Sequence, residues 1–191
     1  MVGKLSVIRA GIFGKPIMTH LLRKVSFSKW EINKSRSPNN YTADAITGCT
    51  RTQKNTLSVW EATDKNFDSP EVKSLIVALA TTMERPDSID LVWLDGNHLS
   101  ESGIEVAQTL GSSKFQAIND KHRDLSNLDH EKLAIVGHHI VSKLCEEDSC
   151  KKIGRSQLIN MVNDALQQED TFELGDLEPK WQEAINKLRA A

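Results

Sequence analysis

Apolar residues recur along this chain at spacings that define helix faces and strands. From Pro16, a favoured first-turn residue, Met18, Leu21, Leu22 and Val25 stand at i, i+3, i+4 and i+7. That stripe predicts an amphipathic helix with His20 and Arg23 toward its edge. A short strand is expected before it at 4–9, broken by Gly11 and Gly14. Phe27 to Ile32 reads as a second strand, and Asn33 to Asn40, polar and holding Pro38, as a loop. Thr42 is placed to cap a short helix through Ile46, and Thr56 to Ala62 alternates as a strand does.

Further on, Ser69-Pro70-Glu71 combines an N-cap hydroxyl, a first-turn proline and a carboxylate near the positive end of the helix dipole. Val72, Leu75, Ile76, Leu79 and Met83 supply the buried stripe of that helix, and Pro86 ends it. Ile89 to Leu94 is a compact apolar run, expected as a buried strand. A helix over 100–110 stopping at Gly111, a short strand at 115–118 and a helix over 129–144 follow. Leu133, Val136, Ile140 and Leu144 form one face of the last of these. Two amphipathic helices, at 156–168 and 179–189, close the chain, the second anchored by Trp181, Ala184, Ile185 and Leu188. Strands and helices alternate roughly through residue 118, which predicts an α+β fold with α/β as the alternative: a small sheet covered by helices, with a C-terminal helical pair. The expected organisation is one globular domain over 1–150 and a helical appendage over 151–191, packed on it or used for association.

Charge changes this picture more than composition does. The first 60 residues hold ten Lys and Arg against only Glu31 and Asp44, whereas the remaining residues hold 14 against 24. Such asymmetry suits a nucleic-acid footprint, or two segments that neutralise each other within a fold or an oligomer. No stretch approaches the ~20 apolar residues of a membrane span, no secretory leader is legible, and the three cysteines are an odd number, so a cytoplasmic chain with reduced thiols is expected.

The sharpest local pattern is Asp95-Gly96-Asn97-His98-Leu99-Ser100-Glu101-Ser102-Gly103. It resembles the block that carries the catalytic Asp and His of the SGNH, or GDSL, esterase family. The resemblance implies His98 as general base toward a serine, with Asp95 orienting its imidazole. It spans these nine residues alone. Where that family places a Gly-Asp-Ser nucleophile block, this chain has Gly11-Ile12-Phe13-Gly14, without a hydroxyl, and more than eighty residues follow Gly103.

His138, His139, Cys145 and Cys150 are residue types that zinc prefers, but adjacent helical histidines point ~100° apart. The two histidines flank the apolar stripe, as boundary or solvated residues do. His122-Arg123-Asp124 and Asp129-His130-Glu131 place imidazoles beside carboxylates in what reads as a polar connection leading to an N-cap at Asp129. Gly11 to Pro16 lacks the P-loop pattern. No metal and no cofactor is expected. For nucleic acid the candidates are Arg23, Lys24, Lys29, Trp30, Lys34 and Arg36, cations to track phosphates and an aromatic to stack on bases. The leading expectation is a non-enzymatic binding or regulatory protein working through contact with a protein partner or by self-association, of immunity, antitoxin or assembly-accessory type. Nucleic-acid binding by the first 60 residues and an SGNH-like hydrolysis through Asp95 and His98 are the alternatives.

Overall fold

A computed structural model describes residues 20–50, 53–168 and 172–190. The strand expected at 4–9, and Pro16 and Met18 of the helix expected after it, lie outside the described residues. Among the described residues six strands form one sheet: β1 (His20–Val25), β2 (Leu57–Ala62), β3 (Ile89–Asp95), β4 (Glu105–Gln108), β5 (His122–Ser126) and β6 (Cys150–Ile153). Their order is β4-β5-β2-β1-β3-β6, and every neighbouring pair is antiparallel. The fold is therefore α+β.

Helices cover both faces. Three of them, α3 (Pro70–Ala80), α6 (Arg155–Ala165) and α7 (Pro179–Arg189), pack with Leu22, Trp60, Leu91 and Trp93 on one side. Opposite them, α1 (Phe27–Trp30), α2 (Ala43–Cys49), α4 (Gly96–Glu101) and α5 (His130–Lys143) pack with Leu21, Val59, Val92 and Leu94. Residues 20–25 are a strand rather than part of a helix, because Leu21 and Leu22 go to opposite faces and both are fully buried. A strand covered on both faces shows a run of apolar residues that periodicity alone does not separate from a helix. Similarly, 27–32 is helical rather than extended. Asp90 Oδ2 accepts from Phe27 N–H at 2.8 Å, and the turn tucks Trp30 completely inside. A Cβ on Gly137 of α5 would stand 3.2 Å from Trp30 Cη2, so the glycine permits this close packing.

The helix expected over 100–110 begins earlier and ends sooner. Asp95 Oδ1 accepts from the N–H groups of Asn97 and His98, at 3.0 and 3.1 Å, which starts α4 at Gly96. Gly103 then takes φ +77°, a left-handed conformation that stops a helix, and Glu105–Gln108 pairs with β5. The expected strand at 115–118 is a buried Phe115 leading into a 3₁₀ helix, Gln116–Lys121. The Ser69, Thr42 and Asp129 helix starts stand where the local chemistry places them, Ser69 and Asp129 accepting N–H bonds from Val72 and Lys132. Among the described residues, no helix is long and apolar enough to cross a membrane.

Candidate functional site

The sheet has an open seam at its centre. β1 and β2 pair from His20↔Ala62 to Leu22↔Trp60, and the ladder stops there, although β1 continues paired with β3 to Val25↔Asp90. Extending the register would set Lys24 opposite Ser58. Instead, the Arg23 guanidinium occupies the gap, donating through Nη1 to Ser58 O and through Nη2 to Cys49 O at 2.8 Å. Lys24 and Ser58 are consequently solvent-exposed although their strands are interior to the sheet.

The resulting cleft, about 480 Å³, draws its walls from both layers: Leu79, Thr82 and Ser112 on one side, Gly48 and Cys49 on the other, with Trp60 and His122 at the sheet. Its polar lining consists of Arg23, Lys24, His122, Cys49 and the hydroxyls of Ser26, Ser58, Thr82 and Ser112, and among the described residues it includes no carboxylate. Arg23 Nε is buried and has no hydrogen-bond partner. Burial pushes the guanidinium down to about 10, which leaves it charged at neutral pH, a cation withdrawn from water with no carboxylate bonded to it. Lys24 is lowered too, by burial first and with Arg23 adding to it, while Asp87 acts in the opposite direction.

The remaining groups are each held. Cys49 Sγ accepts from Ser26 N–H at 3.2 Å. Ser58 Oγ donates to Asp124 Oδ1 at 3.2 Å, and Thr82 Oγ1 to Leu79 O at 2.7 Å. His122 Nδ1 meets Thr109 Oγ1 at 2.8 Å, its ring stands edge-on to Trp60 with centroids 5.2 Å apart, and burial lowers its pKa.

Of the nucleic-acid candidates, Lys24, Lys29, Lys34 and Arg36 reach solvent. Lys34 pairs with Glu31 at 2.9 Å and Arg36 bonds Asn40 O. Trp30 is fully buried and offers no face to a base, and Arg23 is committed to the seam. Asp95 and His98 do come together, but through the main chain: the Asp95 carboxylate caps α4, and the exposed His98 ring stacks on His139 at 4.8 Å. The histidine pair on α5 is not the symmetric, solvated one that the stripe suggests. His138 is exposed with Nδ1 near Tyr41 Oη, whereas His139 is buried and its Nε2 accepts from Asp95 N–H at 2.9 Å. Cys145 is exposed, burial raises the Cys150 thiol to about 11, and no disulfide joins them. Among the described residues no group of three or more His, Cys, Asp or Glu is arranged to hold a metal ion.

Ser58, His122 and Cys49 were not among the sequence candidates. His122 carries a faint signal, because it stands beside Asp124, but a short polar strand reads as a connection until its partner is known. Fold and cleft together define a helix-covered antiparallel α+β protein with a cationic opening inside its sheet. No protein-family model, curated protein or solved structure matches the chain.

Proposed function

We propose that this chain is a non-enzymatic binding protein whose cleft between β1 and β2 receives a small anionic ligand, with Arg23 as the anchor. The observation that carries this reading is the lining: among the described residues, two full cations and four hydroxyls with no carboxylate, around a buried guanidinium whose Nε–H has no acceptor. Burying a cation with no carboxylate bonded to it costs stability, which Asp124 offsets only from beyond Ser58, and an anion in the cleft supplies both a direct counter-charge and the acceptor. A volume of about 480 Å³ suits a small molecule. A binding role fits better than a hydrolytic one, because among the described residues no nucleophile lining the cleft is hydrogen-bonded to an imidazole or amine. Cys49 Sγ accepts a backbone N–H, and the group that Ser58 Oγ meets is the Asp124 carboxylate rather than an imidazole or amine.

Sulfate and succinate, compared with sodium chloride at equal ionic strength, test the reading. At least one is expected to raise the melting temperature of the intact protein, since a ligand that binds only the folded state stabilises it by mass action. Arg23→Gln is expected to remove that response. Melting that neither anion shifts would overturn the assignment.

A second reading keeps the expected partner protein, on a separate observation. Leu110 is 80% exposed just beyond β4, whose outer edge, at the end of the sheet, has no strand partner among the described residues. An extended segment of a partner adding to β4 would cover both. Co-purification from the native host with Leu110→Lys as control tests it: a partner retained by the wild type and lost by the variant is expected. Retention by both would set the β4 edge aside.

A further inference from the structure

The geometry points to a more specific ligand for this cleft, an inference that rests on the anion-binding reading above: a phosphate monoester, held as its dianion by Arg23 and Lys24, with its organic part against Trp60 and His122.

Three observations lead there. Charge comes first. Arg23 and Lys24 are consecutive on β1 and both line the cleft, so two like charges stand together with no carboxylate in the wall among the described residues. The nearest acids belong to adjoining surfaces: Asp124 lies behind Ser58, and Asp87 shares a neighbouring hollow with Lys24. A dianion meets both cations, whereas a single carboxylate leaves one unmatched. Direction of approach is the second. The donors arrive from separate elements on both faces of the sheet: Arg23 and Lys24 from β1, Ser26 just after it, Ser58 from β2, Thr82 after α3 and Ser112 from the segment after β4. Donors converging from many directions match a tetrahedral oxyanion, while a planar carboxylate is best met by a coplanar fork. Ser58 and Thr82 now donate to Asp124 and Leu79 O, and a turn of each hydroxyl would redirect its proton.

Room is the third. A phosphate group, comparable to a few waters of ~30 Å³ each, would leave most of the 480 Å³ empty. The remaining wall is partly apolar, made by Leu22, Val25, Leu79 and the Trp60 and His122 edges. It suits the carbon skeleton of an ester better than free inorganic phosphate.

Titration calorimetry of the full chain with phenyl phosphate, benzoate and inorganic phosphate separates these claims. Phenyl phosphate is expected to bind at least about tenfold tighter than benzoate, which carries the same ring with one planar charge, and tighter than inorganic phosphate. Its affinity should rise from about pH 5 to pH 8 as the second phosphate proton, of pKa about 6, is lost. Lys24→Gln, an exposed position, is expected to weaken phenyl phosphate at least tenfold while leaving thermal stability unchanged, on the order expected for one charge-assisted contact. Equal affinity for phenyl phosphate and benzoate, or an affinity flat across that pH range, would sink the phosphate dianion and leave the anion cleft standing. Inorganic phosphate binding as tightly as the ester would overturn the organic part. If none of the three binds, both this inference and the reading beneath it fail.

Discussion

Trp181→Ala is expected to lower the unfolding free energy by about 3–5 kcal/mol, the cost typical of emptying a buried tryptophan site. The side chain is fully buried in α7, in the same core as Leu75 and Leu79 of α3, Leu158 and Val162 of α6, and Leu91 and Trp93 of β3. Its Nε1 donates to Met83 O at 2.9 Å, so alanine would also strip a partner from that carbonyl. Trp181→Phe separates the two contributions, since it keeps most of the apolar contact and loses only the donor, at a cost nearer 1 kcal/mol plus any packing change. Urea unfolding of the full chain is the measurement, and one transition is expected for wild type and variants, because α6, α7 and the sheet share one core. A loss below about 1 kcal/mol for the alanine variant would show that α7 contributes little. Two separate transitions would show that residues 151–191 melt as an independent unit.

The second large effect comes with acid. Burial, followed by the nearby His98 and Lys143, pushes His139 down from 6.5 to about 4, with Asp95 and Glu146 acting in the opposite direction. A group whose folded pKa is depressed in this way stays neutral in the native state, while the unfolded chain takes up a proton as the pH falls below 6.5. The stabilisation is therefore complete above about 6.5, is lost as the pH falls from there toward 4, and amounts to about 3 kcal/mol over that window. The structural reason is specific. His139 Nε2 accepts from Asp95 N–H, and a protonated ring has no lone pair to do so. His139→Gln offers a carbonyl to the same N–H and does not titrate in this range. Denaturation at a series of pH values should give a variant whose stability falls less steeply than the wild type between pH 6.5 and 4. Parallel curves would show that His139 is not the group responsible.

These two sites illustrate how unevenly the molecule can be read from its chain. Trp181 with Ala184, Ile185 and Leu188 announced a helix and its buried face, and Trp181 and Ile185 are indeed fully enclosed, although Leu188 stays 38% exposed. His139 gave no hint of its burial, because the stripe on α5 places His138 and His139 alike at its margins. What distinguishes them is the end of β3, forty-four residues away in the chain, which brings Asp95 N–H to one ring and not the other.

The candidate cleft was legible only in pieces. Arg23, Lys24 and the basic bias of the first 60 residues were visible as charge. That Arg23 leaves the exposed basic surface and enters the sheet follows from a ladder that ends at Leu22↔Trp60, a property of two strands thirty-five residues apart. Trp30, which composition alone offers to a nucleic acid, is removed from any such role by burial beside Gly137.

By itself, the sequence determined the elements whose causes are local: the Ser69 and Asp129 helix starts, the closing helices, the alternation of β2 and the apolar run of β3. Those features depend on side-chain spacing and on hydrogen bonds spanning a few residues. Tertiary structure alone decided that Leu21 and Leu22 serve two opposite cores and that 105–108, 122–126 and 150–153 are strands. It also decided that the sheet parts around Arg23. Strands become strands by bonding to partners distant in the chain, and a cleft exists only where such partners separate.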